Sequence, residues 1–246
     1  MSTPVLAFHA IEEANTVLAI APDRFASVVR SLKRRGFASI TAAELLNYMD
    51  RFGRTPKRVV VFTFDDGYRS VRTAAYPILA DAGFVATVYP VTGFLGETNK
   101  WDEGSRHAGL QIMDETDLGF LLERDWEIGA HTHTHRQLVA LEPSLVEYEL
   151  TENARALQTR FGIKAKTFAY PFGVHDAQTE KAVSLHYGAA FTIGSAMVKA
   201  DSPRMSLPRI EAWYLQSTRT ARLLGTALES VYLASRRVGR RIGQHR

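Results

Sequence analysis

Short apolar or β-branched runs alternate with longer amphipathic segments along the chain. The runs at residues 5–8 (VLAF), 58–64 (RVVVFTF), 85–90 (VATVYP), 126–130 (WEIGA), 167–170 (TFAY) and 189–193 (AAFTI) have the length and composition of buried strands. Residues 22–35, 42–51, 70–82, 114–122, 144–161, 177–185 and 221–237 carry helical periodicity. Thr41 before AAELL and Glu142-Pro143 before SLVEYEL mark helix starts, and Gly36, Gly83 and Gly162 fall where helices should stop. Residues 93–109 read as a long loop. This alternation predicts βα units around a parallel sheet. With no internal repeat and no low-complexity linker, one domain is expected over residues 1–215, followed by a basic amphipathic helix and tail at 216–246.

The polar residues on this map converge. Asp65 and Asp66 follow the run at 58–64, HTHTH (131–135) follows WEIGA, His9 ends the first run, and YPFG (170–173) ends another. In parallel βα folds the C-terminal ends of the strands lie on one face, where loops build the active site. DDG alone would read as a helix cap beside a surface charge, and three histidines alone as satisfied surface or core groups. Their joint occurrence at equivalent strand ends favours a site.

Adjacent residues leaving a strand point in different directions, so Asp65 and Asp66 should do different work. One can coordinate a cation while the other keeps a free carboxylate. The histidines depend on backbone form. A continuing strand would place His131, His133 and His135 on one face; a turn into helix would join His131 to His135 and exclude His133. WEIGA has already run the length of a strand and HRQLVALEPS looks like a turn and short helical stretch, which favours His131 and His135. Two imidazoles and a carboxylate leave a coordination position for water, the arrangement of a catalytic zinc site.

Composition narrows the alternatives. Of the 246 residues 46% are hydrophobic and 23% charged, as in globular domains. No cysteine is present, which excludes disulfides, Cys-ligated zinc and thiol nucleophiles. The N-terminus lacks a basic n-region, and no run reaches the roughly 18 apolar residues of a membrane span, so a cytoplasmic protein is expected. The net charge of +4 is uneven: residues 219–246 hold seven arginines against Glu229 alone. Leu224, Leu228, Val231, Val238 and Ile242 fall roughly on one helical face there. Such a helix could dock on the barrel, lie peripherally on an anionic inner-membrane face or bind an acidic polymer. No aromatic–basic interleaving points to a nucleic-acid partner.

TFDDG, HTHTH with its trailing Leu138, and YPFG together resemble the first three motifs of the polysaccharide deacetylase (NodB-homology) family of carbohydrate esterases. The resemblance spans residues 4–213 and implies a distorted (β/α) barrel and metal-dependent removal of acetyl groups from N-acetylglucosamine units. It implies Asp66, His131 and His135 as ligands to one divalent ion, with zinc expected and cobalt, manganese, nickel or iron(II) as alternatives. Asp65 would be the general base and the Phe172 N–H an oxyanion donor. Tyr170, Pro171, Phe172 and Gly173 would line the substrate.

Two departures from the family pattern matter. Ala169 stands where many members have an arginine, and no Leu-x-His motif follows Ile193. His9 is the candidate acid instead: VLAFHAI and the following APDRFASVVRSLKRRGFASITAAEL resemble the exopolysaccharide-associated branch, whose acid histidine comes from the first strand. An unperturbed imidazole suits proton donation near neutral pH. His175 is a weaker alternative, while His133, His107 and His186 read as structural or surface groups. Arg209 in LPRIE is a candidate to reach and position Asp65, with an ordinary ion pair as the alternative. The expected function is an N-deacetylase acting on an N-acetylated oligosaccharide, polysaccharide or glycolipid. The competing expectation is a non-catalytic, metal-containing carbohydrate-binding relative, against which the intact Asp65 argues. A metallophosphatase would leave YPFG poorly explained.

Overall fold

The computed structural model describes residues 2–211. In chain order its elements are β1 (Ser2–Thr3), β2 (Val5–Phe8), α1 (Pro22–Arg34), β3 (Ala38–Ser39), α2 (Ala42–Phe52), β4 (Val59–Asp66), α3 (Tyr76–Asp81) and β5 (Thr87–Pro90). There follow α4 (Glu115–Leu122), β6 (Glu127–Ile128), α5 (Pro143–Phe161), β7 (Thr167–Ala169), α6 (Ala177–Ser184), β8 (Ala189–Phe191), β9 (Val198–Lys199) and β10 (Ile210–Glu211). The expected helix at 221–237, the tail at 216–246 and its membrane contact lie outside the described residues. No helix among the described residues is long and apolar enough to cross a membrane.

The main sheet has the order β10-β2-β4-β5-β6, all parallel, and β3 also pairs with β4. A second parallel pair, β7 and β8, joins it through single bridges, Ala130 to Phe168 on one side and Phe191 to Leu207 on the other. The strands thus run around a distorted (β/α) barrel whose ladder thins to single bridges at its seams. Parallel neighbours need long crossovers, and helices supply them here.

Alternation along β4 assigns its two faces. Val60, Phe62 and Phe64 pack outward with Phe25, Val28 and Leu32 of α1 and Leu79 of α3. Val61 faces inward with Val5, Tyr89, Ala169, Phe191 and Leu207, a cluster that α2 joins through Leu45, Leu46 and Met49. Thr63 and Asp65 continue that inward row. α2 is fixed at its start by a capping box between Thr41 and Glu44. Its first N–H groups also bond into the barrel, Ala42 N to Thr87 Oγ1 at 2.9 Å and Ala43 N to the Glu127 carboxylate at 2.8 Å.

Two elements differ from the sequence expectation. Residues 70–82 do not form one α-helix, because Val71–Ala75 is a π turn preceding α3. Pro77 has no N–H to give the Thr73 carbonyl, so the regular ladder cannot run through it. The strand expected at 126–130 is reduced to Glu127–Ile128 plus the bridge at Ala130.

Candidate active site

The two aspartates part company at the end of β4. Asp65 continues the inward row, whereas Asp66 (φ 68°) and Gly67 (φ 80°) adopt left-handed backbone and swing the next carboxylate toward the histidines. Left-handed geometry costs a residue with a Cβ about 1–3 kcal/mol and persists only where its surroundings over-determine it. Among the described residues six non-glycines have positive φ, and Asp66, Thr132, His135 and Phe172 are four of them. Backbone strain is therefore concentrated where the sequence motifs meet.

His131, His135 and Asp66 come together, all buried. Asp66 Oδ1 lies 3.3 Å from His131 Nε2 and 3.1 Å from His135 Nε2. The route to this pairing is not the helical turn that the spacing suggested. Residues 131–135 are neither helix nor strand; the left-handed Thr132 (φ 64°) and His135 (φ 61°) fold the chain back instead. A bond from His135 N to Thr132 Oγ1 of 3.1 Å closes the turn. His133 points away, with Nδ1 3.1 Å from Thr92 Oγ1.

These residues fit a divalent cation. Their ligand atoms lie within 4.8 Å of one another. His131 Nδ1 is 2.7 Å from the Ala169 carbonyl, which can only accept, so Nδ1 carries a proton and Nε2 is the atom turned toward the trio. Asp66 Oδ1 is buried without a hydrogen-bond donor aligned on it, a state that an ion would relieve. Burial alone would raise the Asp66 pKa, but the His135 and His131 rings hold it well below the usual carboxylate range. Burial pushes the neighbouring Tyr68 phenol far up, and the Asp66 charge adds to this, so Tyr68 remains a proton donor.

Asp65 is engaged separately. Arg209, 0% exposed, forms two parallel bonds to it, Nη1 to Oδ1 at 2.6 Å and Nη2 to Oδ2 at 2.7 Å. The guanidinium is itself oriented by Thr63 Oγ1 at 3.2 Å and the Thr192 carbonyl at 3.3 Å. Burial would raise the Asp65 pKa, and the charge of Arg209, followed by His131, reverses this and brings it below its ordinary value. His9 lies abreast of Asp65, because Phe8 pairs with Phe64 in the preceding register position. Half-buried, it helps to lower the pKa of both aspartates electrostatically.

YPFG forms the remaining wall. Phe172 (φ 58°) is 53% exposed and packs its ring, tilted by 60°, 4.7 Å from that of His135. Tyr170 is buried against Phe168 and His175, so its side chain supports the loop from beneath. Pro171 is buried at the start of the turn. Gly173 (φ 66°) has Ile193 so close that an added Cβ would come within 2.3 Å of Cγ1 and 2.7 Å of the backbone N. Gly173→Ala should therefore destabilise the protein by more than about 1 kcal/mol, read as a lowered urea midpoint with unchanged m-value.

The other histidines are occupied elsewhere. His175 pairs with Glu180 at 2.9 Å, His186 with Glu147 at 3.2 Å, and His107 with Thr16. Several site neighbours carried no signal in the sequence. Trp101, within the expected loop, packs 4.7 Å from the His135 ring, and the loop is braced by Asn99, whose amide bonds Asp102, the His107 carbonyl and Leu110 N. Glu149 and Asn153, on α5, bond the HTHTH loop. A lone Trp, Asn or Glu has no spacing rule to mark it.

The fold is thus a parallel α/β one of distorted-barrel type, with a two-histidine, one-carboxylate cluster and a second, arginine-held carboxylate at its C-terminal strand ends. The chain belongs to the polysaccharide deacetylase family, whose model matches residues 52–190. A poly-β-1,6-N-acetyl-D-glucosamine N-deacetylase of Staphylococcus aureus (strain MSSA476) is 27% identical over 203 residues, covering 78% of this chain and 67% of that protein. YxkH of Bacillus subtilis (strain 168) is 25% identical over 179 residues, covering 73% and 60% respectively. The chain thus spans 60–67% of the length of these relatives. Among solved structures, IcaB from Ammonifex degensii aligns with a TM-score of 0.76 at 22% identity over 90% of this chain and 97% of its own. The Streptococcus pyogenes deacetylase PplD in complex with acetate aligns with a TM-score of 0.75 at 23% identity, over 86% and 92%. These likenesses establish the fold.

Proposed function

We propose that the protein is a metal-dependent N-deacetylase acting on N-acetylglucosamine units of an oligosaccharide, polysaccharide or glycolipid. The observation that carries this reading is the buried Asp66–His131–His135 trio beside an Asp65 that Arg209 holds. The N-deacetylase activity of the S. aureus relative on poly-β-1,6-N-acetyl-D-glucosamine supports the substrate class.

When bound, a divalent cation such as zinc would lower the pKa of water and polarise the acetyl carbonyl. Asp66, His131 and His135 would hold it, and the Nδ1–H bond to Ala169 fixes the His131 ring for that role. Asp65, whose lowered pKa keeps it ionised through the neutral range, takes the proton of the attacking water. Arg209 fixes both Asp65 oxygens, so the base meets its proton without reorganising. The Phe172 N–H donates to the acetyl oxygen as negative charge develops on it. His9, on the neighbouring strand end, passes a proton to the departing sugar amine. Trp101 and Phe172 both pack on the His135 ring, and these aromatic groups would face the sugar.

Acetate release from a panel of N-acetylated oligosaccharides and glycolipids tests the reading: a chelator should abolish release and added zinc restore it. His9→Ala is expected to retain metal and lose activity, and His135→Ala to lose both. An active His9→Ala protein would overturn its role as the acid, and metal-independent release would overturn the mechanism.

A further inference from the structure

The loop that carries both histidine ligands is held by a helix that contributes no ligand. Glu149, 2% exposed on α5, accepts the His133 N–H at 2.9 Å and the Thr134 N–H at 2.8 Å on one oxygen. Its other oxygen accepts the Thr134 hydroxyl. One helical turn on, the fully buried Asn153 donates Nδ2 to the Thr132 carbonyl at 2.6 Å and to Thr92 Oγ1 at 3.2 Å. Residues four apart share a helix face, so both side chains reach the same loop. Next to Thr92, Gly93 N binds the His133 carbonyl at 2.8 Å. Two consecutive peptide units between the two ligands are therefore gripped, each at both its N–H and its carbonyl.

We infer that Glu149, with Asn153 beside it, is a positioning residue that holds residues 131–135 in their left-handed turn and so sets the spacing of His131 and His135 for metal. The physical ground is strain. Thr132 and His135 both occupy backbone that L-residues avoid, and a short loop relaxes out of such a state unless something over-determines it. No cation pairs with the Glu149 carboxylate in the contacts that hold this loop; its three bonds all go to loop donors. A buried carboxyl group is costly unless fully hydrogen-bonded, so the three bonds tie the burial of Glu149 to one loop geometry. The same three donors would lie unsatisfied if the loop moved.

This inference rests on the metal reading of the trio, and the test separates the two. Zinc affinity is measured by competition with a chromogenic chelator, and the visible spectrum of the cobalt-loaded protein reports ligand geometry independently of turnover. Glu149→Ala should weaken zinc binding about 10–100-fold and shift the cobalt bands while circular dichroism remains native. Glu149→Gln should restore both, because its carbonyl can take the two N–H donors and its amide can donate to Thr134 Oγ1. Thr134→Val, which removes one hydroxyl bond, should weaken binding about 3–10-fold with a smaller spectral shift. This milder variant decides the question if Glu149→Ala does not fold. Wild-type affinity and spectrum in folded Glu149→Ala, or in Thr134→Val, would overturn the inference. So would a Glu149→Gln protein as impaired as Glu149→Ala. Wild-type protein that binds neither ion would overturn the metal reading along with it.

Discussion

Replacing Asp65 by Asn should lower acetate release about 10²–10⁴-fold while one metal ion per chain stays bound. The two aspartates are adjacent in sequence but face different partners. Asp66 faces His131 and His135, whereas Asp65 meets Arg209 inside the barrel. The substitution removes the proton acceptor with almost no change of shape and leaves the candidate ligand set intact. Metal content by elemental analysis and kcat on one oligosaccharide separate the two functions. A protein that loses metal would show that Asp65 is a ligand after all; one that keeps its activity would remove Asp65 as the base.

Arg209→Ala is the substitution with the largest expected effect on stability, about 3–5 kcal/mol. It deletes a fully buried guanidinium and leaves a nearly buried carboxylate without its main partner. The deficit should depend on pH. In the parent, the folded pKa of Asp65 is depressed, so the pair contributes stability that is present above the unfolded carboxylate value and is lost as pH falls through the folded one. In the variant the opposing charge of Arg209 is gone and burial, the largest influence on Asp65, pushes its pKa upward. The difference between the two proteins should then be greatest at neutral pH and shrink as pH falls below the unfolded carboxylate value of about 4 and on through the lower folded value of the parent, where Asp65 becomes protonated in folded and unfolded chains alike. Urea midpoints measured across this range check it. A pH-independent difference would mean that lost packing around Arg209, rather than its charge, dominates.

Much of the site was legible because its signals are local. TFDDG, HTHTH and YPFG each follow an apolar run, and parallel βα topology brings such strand ends to one face whatever the intervening loops do. Period-two alternation along 58–64 anticipates that Asp65 and Asp66 diverge. The spacing of the histidines selects His131 and His135, although the structure reaches that pairing by another route. A helix was expected, and two left-handed residues achieve it instead. Positive φ at Thr and His leaves no mark in hydrophobic pattern, since it is imposed by partners far along the chain.

Sequence by itself determined the alternation of strands and helices, the family and the residue types that can bind a cation. These depend on periodicity and on short motifs, which are properties of neighbours along the chain. Tertiary structure decided the rest. Arg209 was a candidate in the sequence to reach Asp65, with an ordinary ion pair as the alternative, and the fold brings it there across 144 positions as a bidentate partner. Glu149 and Asn153 grip the ligand loop from the face of a helix, and Trp101 meets His135 from within an irregular stretch. Such contacts are set by how strands and helices pack together, because only packing brings buried polar and charged groups close enough to compensate the cost of removing them from water.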